Sequence, residues 1–485
     1  MFHLFTYANE LEGFVLDKQK DLCQFFSNES LACFLSDFIN LPNISKDEEI
    51  KLLDAGAGDG ILSFAAVLKL IKLGYKNIDI KLYEIDSSLH KIIKSNLNIL
   101  KIQNPELNLN YTVIKKDFLK VNIKLIKNHF DLAVINPPYK KNKHSFRYDA
   151  NKVPLNISND YASFIALAFM ALKTEGQLIS ISPRSFCSGT YFKDFRDYLI
   201  QESYIENIHI FKSRINVFKK DSILQENIVC SLRKSHKCSK SIEISHSKDL
   251  DFNIDYSKNI YRYQNIIKSQ NDNHFIFLPE SKSQQKSIEI VENLCSNMEK
   301  NEYMVKTGPI VPFRMKKLIS NKASEHNIPI LRLKNIEAFK INWTSDKNNT
   351  YLKKKETKDE RLVQKDICIL LRRFAPKENQ YRIIATVFNP DQSNFKEIAV
   401  ENHLNIIYKE NFTHEEALGL TCILNSYLYD DYFRSLCGST QINKSELMKL
   451  NIPSTNSIKK LGRLISEYQE INRVVVNKQI SNILG

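Results

Sequence analysis

Apolar and polar positions alternate along the first half of the chain in a way that predicts strands separated by helices. Short apolar runs predict strands over residues 50–54, 78–84, 109–114, 130–135 and 177–182. Apolar residues at helical spacing predict helices over residues 30–39, 61–73, 87–100 and 160–172. This alternation is typical of an α/β fold with a doubly wound, mostly parallel sheet, in which ligands bind at the carboxyl ends of the strands.

A glycine-rich loop, DAGAGDG at residues 54–60, follows the first predicted strand. Its glycines would let the backbone approach a ligand closely. The loop lacks the Gly-Lys-Ser/Thr of a phosphate loop and the spacing of the dinucleotide fingerprint. Asp54 and Asp59 would repel a pyrophosphate and suit a ligand with a cationic part. Taken alone, the loop is equally compatible with a plain tight turn.

Two further strand ends make an adenosine ligand the better interpretation. Glu84 ends the second predicted strand and can accept hydrogen bonds from both hydroxyls of a ribose. Asp117 and Phe118 follow the third, where an acid can accept an adenine amino proton and an aromatic ring can pack on the base. An adenosine ligand without phosphates indicates S-adenosylmethionine. The predicted cofactor-binding residues are Asp54, Ala55, Gly56, Gly58, Glu84, Ile85, Asp117, Phe118 and Asn136.

The segment Asn136-Pro137-Pro138-Tyr139 directly follows the fourth predicted strand. The two prolines stiffen the loop and remove two backbone donors, which leaves carbonyl oxygens beside the asparagine side chain. Such a set of acceptors suits a planar NH₂ group, and the tyrosine offers a stacking face. A polar turn is an alternative for this segment alone, but not after the three preceding loops in that order.

The ordered motifs resemble the gamma class of adenine-N6 DNA methyltransferases, which have a class I S-adenosylmethionine-dependent methyltransferase fold. Phe25-Phe26-Ser27 resembles the N-terminal cofactor-side motif of that class, with Ser27-Asn28 in place of Thr-Pro, and implies that Ser27 contacts the cofactor. Residues 181–189 and 191–196 resemble the segment after the fifth strand. Phe218 stands where the class places a second aromatic against the target base.

The C-terminal half resembles the BsuBI/PstI-type methylases of restriction–modification systems. The motifs that carry the resemblance are Thr307-Gly308, Phe313-Arg314, Arg372-Arg373-Phe374 with Lys377-Glu378, the segment 401–405, the segments 424–426 and 433–434, and the segment 438–443. The resemblance implies a catalytic domain over residues 1–245 and a mixed α+β DNA-recognition domain over residues 246–485. It also implies double-stranded DNA as partner, a separately encoded cognate restriction endonuclease and a monomeric state.

These residues predict a mechanism for transfer of a methyl group to the N6 atom of adenine. The base must leave the duplex to reach the site, where Tyr139 and Phe218 would stack on it. Asn136 and the Pro137 carbonyl would accept the two amino hydrogens, and the nitrogen would attack the methyl group directly. Cytosine-C5 methylation requires a cysteine nucleophile, typically in a Pro-Cys pair, and the chain has no Pro-Cys pair.

Charge adds a candidate DNA contact. The 485 residues contain 69 Lys and Arg and 55 Asp and Glu, a net charge of +14, which favours a polyanionic partner or reflects a lysine-rich surface. Lys140, Lys141, Lys143 and Arg147 follow the Asn136–Tyr139 loop and would hold DNA phosphates, or would form a solvated loop. The nine cysteines include no C-x-x-C pair, so we expect no metal site and a reducing, cytoplasmic location. No apolar stretch is long enough to span a membrane.

Three alternatives remain to be weighed. An Asn-Pro-Pro-Tyr methyltransferase can act on RNA adenine or protein glutamine, but the long C-terminal segment favours DNA. A DNA-binding subunit with a decayed catalytic fold is disfavoured by the intact acidic and Asn136 motifs. A fused nuclease is disfavoured because Ile398-Ala399 stands where its lysine would be required.

Overall fold

The computed structural model divides the chain into two compact units, the first ending at Phe277 and the second beginning at Leu278. The sequence-based boundary at 245/246 falls inside a strand, Ser241–Ser247, of the first unit, so the structure moves the boundary to 277/278. The residues that the structure describes are 29–139, 141–147, 156–212, 226–237, 239–249, 255–268, 274–324, 326–343, 350–356, 359–376, 379–436 and 441–484.

The first unit contains eleven described strands and six described α-helices. The strands are β1 Ile50–Ala55, β2 Asn77–Tyr83, β3 Asn108–Ile114, β4 Phe130–Ile135, β5 Lys141–Arg147, β6 Asn156–Asn159, β7 Leu172–Pro183, β8 Ser203–Phe211, β9 Asn227–Lys234, β10 Ser241–Ser247 and β11 Ser257–Arg262. The helices are α1 Glu29–Ser36, α2 Ile61–Lys72, α3 His90–Gln103, α4 Asp160–Ala171, α5 Lys193–Glu202 and α6 Tyr263–Ile266. Short 3-10 helices span Phe118–Lys120, Ile123–Leu125, Arg184–Cys187 and Thr190–Phe192.

Nine of these strands form one mixed sheet in the order β11-β10-β8-β9-β7-β4-β1-β2-β3. The strands β7, β4, β1, β2 and β3 are parallel, and β9 runs antiparallel between β7 and β8. The helices α1 and α2 pack on one face, where Leu31, Leu70, Leu52 and Leu132 are fully buried in one hydrophobic cluster. The predicted doubly wound sheet is therefore confirmed, and the carboxyl ends of β1, β2 and β4 meet at one edge.

The second unit is mixed α+β, as predicted. Its strands are β12 Ser296–Asn297, β13 Met304–Thr307, β14 Ile319–Ser320, β15 Asn327–Leu331, β16 Ile336–Glu337, β17 Lys340–Ile341, β18 Tyr351–Lys353, β19 Val363–Gln364, β20 Cys368–Arg372, β21 Ala385–Phe388, β22 Ile398–Val400, β23 Leu404–Tyr408 and β24 Asn451–Ile452. Its α-helices are α7 Lys282–Glu292, α8 His414–Leu424, α9 Tyr427–Leu436, α10 Lys444–Met448, α11 Thr455–Ser466 and α12 Arg473–Leu484. Its 3-10 helices are Lys316–Leu318, Leu333–Asn335, Lys354–Glu356 and Glu360–Leu362.

Two small sheets organise the second unit, one ordered β13-β23-β20-β21 and one ordered β14-β18-β15-β22-β19. The helices α8 and α11 cross in close contact at two glycines. A Cβ atom added at Gly462 would lie 1.8 Å from the Glu415 carbonyl oxygen, and one added at Gly419 would lie 1.9 Å from the Ile458 carbonyl oxygen. Only glycine permits the two backbones to approach this closely. Within the described ranges, no helix combines the length and apolar character required to cross a bilayer.

Candidate active site

The glycine loop after β1 is attached to the end of β2 by its backbone. Gly56, Gly58 and Gly60 have φ angles of 79°, 59° and 82°, a region that residues with a side chain rarely adopt. The backbone N–H groups of Gly56 and Ala57 both donate to the Tyr83 carbonyl oxygen, at 2.9 and 3.0 Å. The three glycines therefore fold the loop back over the neighbouring strand end.

Glu84 completes this attachment from the end of β2. One carboxylate oxygen accepts a hydrogen bond from the Gly58 N–H at 2.8 Å, and the other accepts from the Asp86 N–H at 2.7 Å. Burial raises the pKa of Glu84, although these two donors oppose the shift. A carboxylate offers about four lone-pair sites, so a residue of this type can hold the loop and also accept a hydrogen bond from a ligand.

Asp54 lies fully buried at the end of β1, beneath the loop. Its Oδ2 atom accepts a hydrogen bond from the Ser63 hydroxyl at 2.6 Å. Its Oδ1 atom is buried and has no hydrogen-bond partner among the residues that the structure describes. Burial raises the pKa of Asp54 to about 7 against the hydrogen bond from Ser63, and the negative charges of Glu84 and Asp59 add to the rise. Burial likewise raises the pKa of Asp59 to about 6.

This group of acids has the chemistry to receive a cation. A cationic ligand would favour the ionised carboxylates and offset the cost of burying them. The buried oxygen of Asp54 supplies an acceptor for such a ligand. Ser63, in the first turn of α2, is a supporting residue that the sequence analysis did not identify. Its position three residues after Gly60 was the available signal.

The third strand end differs from the prediction in one respect. The Asp117 carboxylate accepts a hydrogen bond from the Leu119 N–H at 3.0 Å and starts a short 3-10 helix. Phe118 is only 2% exposed, because its ring packs edge-on against Tyr83 and at a tilt against Phe164. Phe118 therefore forms part of the wall of the site. The exposed apolar side chain at this edge is Ile85, at 47% exposure, which can contact a flat base.

The loop Asn136–Tyr139 begins where β4 ends, between the ends of β1 and β7. The Tyr139 hydroxyl donates a hydrogen bond to the Asn136 Oδ1 atom at 3.2 Å, and Pro137 is buried beneath them. Burial raises the pKa of Tyr139 well above its ordinary value, so its hydroxyl stays protonated. The loop thus presents a neutral tyrosine and an amide oxygen at the same edge as the acidic group.

Two supporting residues of this loop come from distant parts of the chain. The Tyr161 ring meets the Tyr139 ring edge-on, with 6.4 Å between centroids. The Tyr161 and Ser185 hydroxyls are 3.0 Å apart and hydrogen-bonded. No sequence spacing joins these residues to Asn136, because they belong to α4 and to the segment after β7. Their role could be recognised only in the folded chain.

The structure brings most of the predicted site residues to one edge of the sheet. The residues Asp54, Ala55, Gly56, Gly58, Glu84, Ile85 and Asn136 lie at adjoining strand ends, and Asp117 and Phe118 lie at the next one. Ser27, Lys140 and Phe218 lie outside the described residues, and the strand β5 contains Lys141, Lys143 and Arg147, whose side chains are not described. Their predicted roles stay predictions.

Several motifs of the second unit also meet at one place. The Gly308 N–H donates to the Leu404 carbonyl oxygen at 2.8 Å, and the Arg373 N–H donates to the His403 carbonyl oxygen at 2.9 Å. The Ile442 N–H in turn donates to the Arg373 carbonyl oxygen at 2.8 Å. These segments are therefore parts of one structural centre, although up to 134 residues separate Gly308 from Ile442 in the chain. Lys377, Glu378 and residues 437–440 lie outside the described residues.

Comparison with known proteins agrees with the observed fold and motifs. A family model for the Eco57I restriction-modification methylase matches residues 29–218. The MmeI type IIL restriction-modification enzyme, solved in complex with DNA, aligns over 99% of this chain and 73% of its own, with a TM-score of 0.56 and 9% identity. The DrdV–DNA complex aligns over 95% of this chain and 58% of its own, with a TM-score of 0.51 and 13% identity. At these identities the two structures support the fold alone.

Two curated relatives match nearly the whole chain. The Type II methyltransferase M.BsuBI of Bacillus subtilis is 29% identical over 97% of this chain and 95% of its own length. The Type II methyltransferase M.PstI of Providencia stuartii is 31% identical over 90% of this chain and 88% of its own length. With the glycine loop, Glu84 and the Asn136 loop in place at one sheet edge, the chain belongs to the BsuBI/PstI-type Type II methyltransferases of restriction–modification systems.

Proposed function

We propose that this protein methylates the N6 atom of a specific adenine in duplex DNA, with S-adenosylmethionine as methyl donor. The observation that carries the proposal is the position of the Asn136–Tyr139 loop at the end of β4, next to the acidic end of β1 and one strand away from the acidic end of β2. A planar amino group held by Asn136 would there face a ligand held by Glu84 and Asp54. Family membership agrees with this reaction.

The residues at the acidic edge fit S-adenosylmethionine. The Glu84 carboxylate would accept hydrogen bonds from the ribose hydroxyls, and Ile85 would pack on the adenine ring. The Oδ1 atom of Asp54, for which the described residues provide no donor, lies within a group of acids that would attract the cationic methionine end. Ser27 would contact the cofactor from the N-terminal segment. When bound, S-adenosylmethionine supplies an electrophilic methyl group on a positively charged sulfur.

The Asn136 loop would position the target base for direct transfer. Asn136 Oδ1 and the Pro137 carbonyl oxygen would accept the two N6 hydrogens, which localises the nitrogen lone pair towards the methyl carbon. S-adenosylmethionine would supply the methyl group and its sulfur would keep the electron pair of the C–S bond, while the excess proton on N6 would be released to solvent. Tyr139 and Phe218 would hold the flipped base by stacking. Catalysis then consists mainly of positioning and of aligned dipoles.

The second unit is the proposed site of DNA-sequence recognition. It lies C-terminal to every catalytic motif, and residues 278–485 contain 32 basic and 24 acidic side chains. Lys140, Lys141, Lys143 and Arg147 would contact the phosphates beside the flipped base. We propose further that the enzyme is a cytoplasmic monomer that protects host DNA from a separately encoded restriction endonuclease.

Mass spectrometry of enzymatically digested DNA tests the proposal. Duplex DNA incubated with the protein and labelled S-adenosylmethionine should yield labelled N6-methyladenine at defined sites. The Asn136→Ala variant should bind the cofactor and yield no label, which serves as the control for contaminating activity. Label in 5-methylcytosine, in RNA alone or in protein glutamine alone would contradict the proposal.

A further inference from the structure

A buried ion pair lies beside the Asn136 loop, at the carboxyl end of β7. Arg184 directly follows β7 and is 3% exposed, and its Nη1 atom donates to the Glu226 carboxylate at 2.8 Å. The Glu226 side chain is itself 1% exposed. The Arg184 N–H also donates to the Glu226 carbonyl oxygen at 2.9 Å, so backbone and side chain both fix this pair.

Strand register places Arg184 next to the predicted target-base pocket. In the parallel pair β4 and β7, Ile135 is opposite Ser180. Tyr139 and Arg184 each lie four residues beyond these partners. The next residue, Ser185, is hydrogen-bonded to Tyr161, whose ring contacts Tyr139. The two segments therefore leave neighbouring strands at the same edge and are joined through Tyr161.

The guanidinium has hydrogen-bonding capacity that the described residues do not use. Both Nε and Nη2 of Arg184 are buried, and the described residues provide no acceptor for either atom. The Ser182 hydroxyl, two residues earlier, is also buried and has no hydrogen-bond partner among the described residues. Buried donors are almost always satisfied in folded proteins, by protein, water or ligand. The Arg184 donors that have no acceptor among the described residues can therefore serve a ligand at this edge. Arg196, a second buried arginine of this region, by contrast donates to two backbone carbonyl oxygens, those of Phe186 and Gly189.

We propose that Arg184 donates hydrogen bonds from Nε or Nη2 to a ring nitrogen of the flipped adenine. This inference rests on the proposed function. Once Asn136 and Pro137 accept the N6 hydrogens, the remaining edges of adenine present only ring-nitrogen acceptors, N1, N3 and N7. A guanidinium supplies donors and no acceptor. Glu226 holds the guanidinium in place and neutralises its charge.

The proposed contact would act on binding of the base more than on its reactivity. A donor on a ring nitrogen withdraws electron density from the ring and makes N6 a weaker nucleophile. The contact can therefore aid catalysis only by holding the flipped base in position. Loss of the contact should raise KM and reduce the fraction of flipped base, with a smaller effect on kcat.

A double-mutant cycle between Arg184 and the base tests this contact. The substrates are duplexes with adenine, 1-deazaadenine, 3-deazaadenine or 7-deazaadenine at the target position. The variant is Arg184→Lys, which keeps the positive charge beside Glu226 and removes the forked donors. We expect one analogue to reduce kcat/KM of the wild type by roughly 10- to 100-fold, as for loss of a hydrogen bond to a charged group. Arg184→Lys should show a similar loss with adenine and almost no further loss with that analogue.

The matched control is Arg196→Lys, which alters a buried arginine that already donates to backbone carbonyls. It should show the same analogue dependence as the wild type. If Arg184→Lys and each of the three analogues reduce kcat/KM independently, or if no analogue affects the wild type, Arg184 is a structural residue and the inference is wrong.

Two further measurements distinguish loss of the proposed contact from loss of the folded structure. Thermal unfolding and cofactor binding report whether Arg184→Lys is folded. If it is not, the double variant Arg184→Met with Glu226→Gln, which removes both buried charges, replaces it in the same cycle and carries the same expectation. Failure of the wild type to methylate adenine would instead refute the proposed function itself.

Discussion

The Glu84 carboxylate accepts a hydrogen bond from the Gly58 N–H at 2.8 Å, so the acid proposed to hold the ribose also holds the glycine loop. The two residues are 26 positions apart and belong to the ends of neighbouring strands. A substitution at Glu84 therefore acts on the cofactor directly and through the loop.

Replacement of Glu84 tests both effects. Glu84→Ala removes the acceptors for the ribose and for Gly58, and we expect cofactor affinity to fall at least about tenfold, as for loss of a hydrogen bond to a charged group. Glu84→Gln keeps one oxygen acceptor and should lie between Ala and the wild type. Isothermal titration calorimetry measures both. Unchanged affinity of the Ala variant would refute the ribose assignment.

Substitution of Asn136 should impair the methyl-transfer step more than it impairs cofactor binding. Asn136→Ala removes the proposed acceptor for an N6 hydrogen, and we expect kcat to fall by at least roughly 100-fold, the loss typical of a positioned group that acts on the reacting atoms. Asn136 is also a predicted cofactor contact, but cofactor affinity should fall much less than kcat, because Glu84 and Asp54 remain. Single-turnover methylation and calorimetry give the two values. An equal loss in both would show that Asn136 mainly supports the fold of the cofactor site.

Cofactor affinity should depend on pH through Asp54. Its pKa is raised to about 7 by burial, so the free protein holds this proton more firmly than the unfolded chain. The stability contribution of protonated Asp54 is complete below the unfolded pKa and is lost as pH rises through about 7. A cationic cofactor prefers the ionised form, so affinity should rise over the same pH range while the stability of the free protein falls.

Calorimetry between about pH 6 and pH 8.5 measures this dependence, around the pKa of about 7. Asp54→Asn serves as the control, because the asparagine side chain cannot ionise. In this variant, the rise in cofactor affinity around pH 7 should be absent. An identical pH profile in the wild type and the variant would assign the dependence to another group, with Asp59 as the next candidate because its pKa is raised to about 6.

The division of labour can be tested at the observed boundary. A chain ending at Phe277 keeps the whole nine-stranded sheet, and we expect it to bind the cofactor yet lose sequence-selective methylation. Circular dichroism must first show that it is folded. Selective methylation of the same sites by this folded chain would place DNA recognition in the first unit.

The crossing of α8 and α11 gives a prediction about stability. Gly462→Ala would place a methyl group 1.8 Å from the Glu415 carbonyl oxygen and force the helices apart. We expect the free energy of unfolding to fall by about 1–3 kcal/mol, the usual cost of overpacking. Chemical denaturation measures it, and Lys460→Ala, at an exposed position of the same helix, is the control. Equal stability of the two variants would show that the crossing relaxes at no cost.

Local patterns predicted the elements that carry the site. The strand at residues 130–135 and the helix that begins at residue 61 agree with β4 and α2. The short apolar run before Asn136-Pro137 and the longer apolar run after the glycine loop are strong local signals. The boundary at residue 245 failed because β10 and β11 extend the sheet after the last catalytic motif. No local signal distinguishes an added edge strand from the start of a new domain.

Contacts between side chains that are distant in the chain could not be predicted from the sequence. The motif Asp-Phe correctly marked the end of β3, but the burial of Phe118 depends on Phe164, which lies in α4. The hydrogen bond between Tyr161 and Ser185 and the pairing of Arg184 with Glu226 likewise join segments that only the fold brings together. The residue type shows which hydrogen bonds a side chain can form, and the tertiary structure determines with which residue it forms them.

Under the proposed function, the hydrogen bond from Tyr139 to Asn136 would make base entry an exchange of hydrogen-bond donors. In the free protein the phenol satisfies the amide oxygen that the proposed reaction assigns to an N6 hydrogen. An incoming adenine would replace the phenol donor at this oxygen with an N6 hydrogen, so the hydrogen bond would be exchanged and not lost. A thymine would bring a carbonyl oxygen to the same position and would displace the phenol without a replacement donor. Under the proposed function, the loop would therefore favour bases that carry an amino group, before any methyl transfer occurs.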